Sequence, residues 1–137
     1  MSGPVSETEG MTPRVTPLRC FIVDDNPDFV VAAVNLLEQD GVTVVGVTAD
    51  SSDALRRVER LRPDVTLIDV DLGGESGFDL AERLHEHGCG PGQPALILIS
   101  AHAEQDLADM VTASPAMGFL SKLALSAAAL RDVLARS

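Results

Sequence analysis

From residue 18 onward, short apolar runs alternate with longer segments whose apolar residues recur at helical spacing. The runs predict five strands, at residues 18–23, 42–48, 65–69, 95–100 and 118–120, because buried parallel strands have continuous apolar sequences. Asn26 is a candidate N-cap for the first helix, and Pro27 suits its first position. One apolar face of that helix consists of Val30, Ala33, Val34 and Leu37. Similar spacings predict four more helices, each following one of the other strands.

Strands and helices thus alternate strictly, with short connections. This alternation predicts a parallel sheet with helices on both faces and right-handed crossovers. The fold class is therefore α/β, and we expect a flavodoxin-like (βα)5 domain with the strand order 2-1-3-4-5. In open sheets of this kind, ligands bind beyond the carboxyl ends of the strands where the strand order reverses. In this order, that point lies between the first and third strands.

Both strands at this point end in acidic residues. Asp24 and Asp25 follow the first predicted strand, and Asp69 ends the third. Two carboxylates about 4 Å apart repel each other by about 4 kcal/mol at an effective dielectric constant of about 20, so such a cluster requires a cation. Oxygen ligands without clustered Cys or His favour Mg²⁺ over zinc.

Two further strand ends supply polar groups at the same edge of the sheet. Ser100 ends the fourth strand with a hydroxyl group, and Lys122 lies just beyond the fifth. A carboxylate nucleophile, a bound metal, a hydroxyl and an ammonium group suit the formation of an acyl phosphate. In this interpretation Asp69 attacks phosphorus, while Mg²⁺, Ser100 and Lys122 share the phosphoryl oxygens.

Composition and charge narrow the class of protein. The first 17 of the 137 residues contain three prolines, two glycines and five Ser or Thr, which predicts a flexible tail before a single domain at residues 18–137. Ten basic and 21 acidic residues give a net charge of −11, which disfavours direct binding to nucleic acid or anionic membranes. The two cysteines form neither a metal-binding spacing nor a disulfide framework, and we expect a cytosolic protein.

Over residues 18–136 the chain resembles the receiver domain of two-component response regulators. The resemblance rests on four motifs that occur in order: Val23-Asp24-Asp25-Asn26-Pro27, Leu67-Ile68-Asp69-Val70-Asp71-Leu72 with Gly77 behind it, Ile97-Leu98-Ile99-Ser100-Ala101, and Gly118-Phe119-Leu120-Ser121-Lys122. Each motif alone is common in proteins. All four at these spacings are a specific signal.

This resemblance implies that Asp69 accepts a phosphoryl group from a histidine kinase or a phosphotransfer protein. Asp24, Asp25 and Asp69 would bind Mg²⁺, and the backbone carbonyl of Asp71 would be a further ligand. Apart from its own phosphotransfer and autodephosphorylation, such a domain is a signalling module and not an enzyme.

The resemblance also implies a conformational switch. Ser100 would be the switch hydroxyl, Phe119 the rotating aromatic and Lys122 the phosphate-binding lysine. Phosphorylation would then change the face built from the fourth helix, the fifth strand and the fifth helix, where a downstream protein or output domain binds. The pattern fits both a stand-alone regulator and one domain of a longer protein.

Several observations keep alternatives open. Leu123 follows Lys122 where the family often has a proline joined by a cis bond. Asp69-Val70-Asp71 also fits a haloacid dehalogenase-type phosphatase, although that family has this motif on its first strand in a longer chain. A degenerate receiver that acts only as an interaction module is the other alternative, which the intact acidic set disfavours. For single residues, Phe119 could be an ordinary core side chain, and Lys122 alone could be a surface lysine.

Overall fold

The computed structural model describes residues 17–87, 95–101 and 107–135. Its main sheet has five strands: β1 (Arg19–Val23), β2 (Thr43–Thr48), β3 (Val65–Asp69), β4 (Ala95–Ser100) and β5 (Gly118–Ser121). The helices that follow them are α1 (Pro27–Gln39), α2 (Ser51–Leu61), α3 (Gly77–His87), α4 (Ala108–Ala113) and α5 (Ala127–Ala135). The predicted flexible tail lies outside the described residues except for Pro17.

The five strands are parallel and lie in the order β2-β1-β3-β4-β5. This order confirms the predicted α/β fold class and the flavodoxin-like topology. Side chains that alternate along each strand pack into two separate cores, one on each face of the sheet. Helices α1 and α5 cover one core, and α2, α3 and the sparsely packed α4 cover the other.

Side-chain caps mark the starts of α1 and α5, and the predicted cap at Asn26 is confirmed. The side chain of Asn26 accepts hydrogen bonds from the backbone N–H groups of Asp28 (3.1 Å) and Phe29 (3.2 Å), as an N-cap does. Ser126 caps α5 in the same way, because its hydroxyl oxygen accepts from Ala129 N at 3.0 Å. No helix within residues 17–87, 95–101 and 107–135 is long and apolar enough to cross a membrane.

Three strand ends differ by one residue from the prediction. Strand β1 begins at Arg19, β2 begins at Thr43, and β5 continues to Ser121. Val42 does not belong to β2 because its N–H donates to the carbonyl of Leu37 at the end of α1, 3.0 Å away. Ser121 belongs to β5 because it pairs with Ser100.

Two short elements are present that the sequence pattern did not predict. A two-stranded antiparallel ribbon (Asp71–Leu72 with Glu75–Ser76) turns at Gly73 and Gly74 directly after β3. Gly73 adopts φ of +74° there, a conformation that favours glycine. A 3-10 turn (Lys122–Ala124) follows β5. Both elements lie at the carboxyl edge of the sheet, where the candidate site is found.

Candidate functional site

Three carboxylates meet at the carboxyl ends of β1 and β3. Asp24, Asp25 and Asp69 each offer an oxygen, and these three oxygens lie within 4.8 Å of one another. Asp24 and Asp69 are buried, whereas Asp25 is exposed. The cause is topological: β1 and β3 are neighbours in register, with Val23 paired to Ile68, so the residues that follow both strands share one edge.

One oxygen of each buried carboxylate is held by the backbone. Asp24 Oδ1 accepts from Asn26 N at 2.8 Å, and Asp69 Oδ1 accepts from Asp71 N at 3.2 Å. These bonds fix the orientation of both groups. The second oxygen of each residue therefore faces the centre of the cluster.

Lys122 reaches both of these inward-facing oxygens from the end of β5. Its Nζ donates to Asp69 Oδ2 at 3.1 Å and lies 2.8 Å from Asp24 Oδ2. The contact with Asp24 lacks hydrogen-bond geometry, so this buried oxygen has an ionic neighbour but no hydrogen bond. The lysine side chain is only 13% exposed. The structure thus places the Lys122 ammonium group inside the cluster and not on the surface.

The electrostatic environment shifts two pKa values. Burial raises the pKa of Asp69 above its ordinary value, and the negative charge of Asp24 adds to the rise; these outweigh the Asp71 N–H and Lys122, which act in the opposite direction. Burial alone lowers the pKa of Lys122, but its contacts with Asp24 and Asp69 outweigh this effect, and the pKa is raised. Lys122 is therefore charged at neutral pH.

A cavity of about 200 Å³ opens beside the cluster. Ser100, at the end of β4, is buried and lines it. Asp71 lies at its exposed side, in the ribbon. The full lining consists of Asp25, Asn26, Asp69, Asp71, Ser100, Ala101 and Lys122. The structure therefore gathers the acidic residues, the hydroxyl and the lysine that the sequence singled out.

The donor set suits a divalent cation of the Mg²⁺ type. Asp24 Oδ2 is buried and has no hydrogen bond, and its contact with Lys122 Nζ at 2.8 Å is ionic, so this oxygen can still bind a metal ion. Three carboxylates against one ammonium group leave two negative charges (−3 + 1 = −2), the charge that a divalent ion neutralises. All available ligands are oxygens, which hard cations prefer.

Phe119, the predicted switch residue, lies away from the cluster. It is 9% exposed and packs in the core on the side of α2, α3 and α4, beside the half-buried Leu107 and Val111. A groove of about 560 Å³ between α4 and β5 includes Phe119 in its lining. The aromatic ring is thus a core side chain with open space next to it.

Sequence reasoning missed Phe29, in the first turn of α1. Its ring centroid lies 4.6 Å from Lys122 Nζ, within the range of a cation–π interaction. The only signal in the sequence was its position, four residues after Asp25 in a helix that begins at the site. Nothing in the pattern connected it with a lysine 93 residues further along the chain.

Comparisons with known proteins agree with this arrangement. The family model "Response regulator receiver domain" matches residues 20–135. The chain is 30% identical over 105 residues to the DNA-binding transcriptional activator EvgA of Escherichia coli (strain K12), covering 77% of this chain and 50% of EvgA. It is also 30% identical over 93 residues to protein-glutamate methylesterase/protein-glutamine glutaminase 2 of Koribacter versatilis, covering 67% of this chain and 24% of that protein. The chain therefore spans half or less of the length of these two relatives.

Solved structures give the same result. The signal receiver domain of NarL from Mycobacterium tuberculosis superimposes with a TM-score of 0.73 at 28% identity, covering 86% of this chain and 97% of that domain. A response regulator from Thermotoga maritima gives a TM-score of 0.71 at 22% identity, covering 88% of this chain and 99% of that one, and so shares the fold.

Proposed function

This chain belongs to the family of response regulator receiver domains, and we propose that it accepts a phosphoryl group on Asp69. The observation that carries the proposal is the position of the Asp69 carboxylate. It is buried, it lines the cavity, and one of its oxygens is paired with Lys122. The family membership makes the phosphatase alternative unnecessary, and the gathered acidic residues, Ser100 and Lys122 argue against a degenerate module.

In the proposed reaction, a carboxylate oxygen of Asp69 gives an electron pair to phosphorus. The bond between phosphorus and the imidazole nitrogen of the phosphohistidine donor breaks, and its electron pair stays with the imidazole, which takes up a proton from solvent. The product is an acyl phosphate. Burial of Asp69 leaves its carboxylate poorly solvated, which favours it as a nucleophile.

The groups around Asp69 would neutralise the charge on the phosphoryl oxygens. The Lys122 ammonium and the Ser100 hydroxyl are the available donors, and both line the same cavity. Asp24, Asp25, Asp69 and the backbone carbonyl of Asp71 would hold Mg²⁺. When bound, this ion supplies further charge neutralisation to the phosphoryl oxygens.

We further propose that phosphorylation is read out on the face formed by α4, β5 and α5. A phosphoryl oxygen would attract the Ser100 hydroxyl, and the space that this opens would let the Phe119 ring turn inward. Two features support this step: the groove beside Phe119, and the poor packing of α4, which has no buried residue. The exposed Met110 lies on the same helix.

The proposed partners follow from this cycle. A histidine kinase or phosphotransfer protein would supply the phosphoryl group, and a downstream protein or an output domain would bind the changed face. The net charge of −11 argues against direct nucleic acid binding by this domain. The chemistry that we assign to this domain is phosphotransfer and autodephosphorylation. Its two cysteines, which form no disulfide framework in the sequence, support a cytosolic location.

The test is phosphorylation by acetyl phosphate with Mg²⁺, followed by intact mass. We expect the wild type to gain one phosphoryl group that alkali removes, as an acyl phosphate requires, and Asp69→Asn to gain none. Asp64→Asn is the matched control, because Asp64 lies at the opposite edge of the sheet, where its carboxylate accepts from Arg19 N at 2.9 Å. Phosphorylation of Asp69→Asn at the wild-type rate would contradict the assignment.

A further inference from the structure

Lys122 begins a short turn that follows β5 directly. The 3-10 turn that it begins has only three residues, and Leu123 beside it is 95% exposed. The peptide bond between Lys122 and Leu123 is trans. The hydroxyl oxygen of Ser121 caps this turn by accepting a hydrogen bond from Leu123 N at 3.2 Å. This backbone fixes where the long side chain begins, but several rotatable bonds separate it from the ammonium group.

The other end of the side chain is confined on several sides. Asp24 Oδ2 and Asp69 Oδ2 lie at 2.8 and 3.1 Å from Nζ, and the Phe29 ring lies against it at 4.6 Å. The two carboxylates draw the ammonium group into the cluster. The ring is an uncharged surface that attracts a cation and excludes water from one side of it.

A lysine that binds a phosphoryl group on Asp69 must lie near Asp69, and a dominant ion pair with Asp24 would hold it away. Asp24 is the closer of the two carboxylates to Nζ, and its side chain is fully buried. Electrostatics alone would thus favour a stronger pairing with Asp24. The ring offers the ammonium group a third contact, and because the ring is uncharged it does not compete with the phosphoryl oxygens as a carboxylate does.

We propose that Phe29 is a positioning residue, whose ring holds the Lys122 ammonium group at the phosphoacceptor. This inference rests on the proposed phosphorylation of Asp69. Phe29 itself touches no reacting atom, and it acts through Lys122. Its placement on α1 is firm, because Asn26 caps that helix and the ring packs against the core beneath α1 and α5.

The first experiment reads the contact directly. Because Lys122 Nζ lies over the Phe29 ring, we expect the protons on the neighbouring Cε to resonate upfield of their usual position in the wild type. We expect Phe29→Leu and Phe29→Met to abolish this shift and Phe29→Tyr to keep it. An unchanged shift in both aliphatic variants would overturn the contact, whatever the protein does with phosphodonors.

The second experiment measures the rate of phosphorylation by acetyl phosphate with Mg²⁺. We expect Phe29→Leu to slow the reaction about fivefold, the equivalent of about 1 kcal/mol, and Phe29→Tyr to restore it. Val34→Ala is the matched control, because Val34 is half-buried on the same helix and packs against the same core. An equal loss of rate in Val34→Ala would mean that Phe29 only stabilises α1.

A double-mutant cycle completes the test. If Phe29 acts through the ammonium group, Phe29→Leu should have no further effect on the rate once Lys122 is replaced in Lys122→Ala. A persistent fivefold effect in that background would overturn the proposal. A wild type that gains no phosphoryl group would instead refute the proposed function itself, and the proton shifts would still report on the contact.

Discussion

Gly77, the first residue of α3, lies directly against the end of β3 that carries Asp69. A Cβ placed there would collide with the carbonyl oxygen of Asp69 and would lie 2.8 Å from the Asp69 carbonyl carbon and from Val70 Cα. All three atoms belong to the backbone. The N–H of Gly77 also donates to the carbonyl of Val70 at 3.0 Å. We therefore expect Gly77→Ala to displace the end of β3 that carries Asp69.

The expected loss of stability is set by this collision. Overpacking usually costs about 1–3 kcal/mol, and backbone neighbours, which cannot rotate away, put Gly77 at the upper end of that range. The better helix propensity of alanine recovers about 1 kcal/mol at most. The free energy of unfolding should thus fall by about 2 kcal/mol or more. Gly74→Ala is the matched control, since among the described residues, its two chain neighbours aside, no atom lies within 4 Å of its added Cβ, and we expect a change within about 0.5 kcal/mol.

Urea unfolding followed by far-ultraviolet circular dichroism measures both variants, because the chain has no Trp or Tyr for fluorescence. Phosphorylation should also be slower in Gly77→Ala than in Gly74→Ala, since only the first moves Asp69. Equal unfolding midpoints for Gly77→Ala and the wild type would refute the reasoning. So would a Gly77→Ala protein that is less stable but is phosphorylated at the wild-type rate, because the collision would then not reach the acceptor.

Three further predictions concern other parts of the molecule. Mg²⁺ at ten times its dissociation constant should stabilise the native state by about 1.4 kcal/mol, a rise in melting temperature of about 5 °C; identical melting curves with Mg²⁺ and with chelator would count against the site. Ser100→Ala should still be phosphorylated but should no longer transmit the change, so beryllofluoride should shift the amide resonances of residues 107–125 in the wild type and leave them fixed in the variant. Hydrogen bonds from Arg56, the largest contribution, and from Thr48 and Arg57 lower the pKa of Asp53 from 3.8 to about 2. The contribution of Asp53 to stability is therefore present above about pH 4 and is lost as the pH falls through 2; its carboxyl carbon resonance should titrate near pH 2 in the wild type and higher in Arg56→Ala.

Much of the fold could be predicted because strands and helices leave different spacings of apolar residues in the sequence. Continuous apolar runs separated strands from helices, and strict alternation then left few topologies. The ribbon after β3 could not be predicted in this way, since its paired strands have only two residues each and no period can be read from two residues. The same holds for the 3-10 turn at Lys122, which is shorter than one α-helical turn.

In the candidate site, too, some features could be predicted from the sequence and others could not. Asp24, Asp25 and Asp69 could be brought together from sequence, because residues that follow neighbouring parallel strands share one edge whatever their side chains do. The contact of Phe29 with Lys122 depends on the rotation of α1 about its axis, and one residue of phase turns a side chain by about 100°. A shift of that size would point Phe29 away from the site without disturbing the sheet. The acidic cluster is therefore a property of the topology, whereas the contact between Phe29 and Lys122 depends on how α1 packs on the sheet.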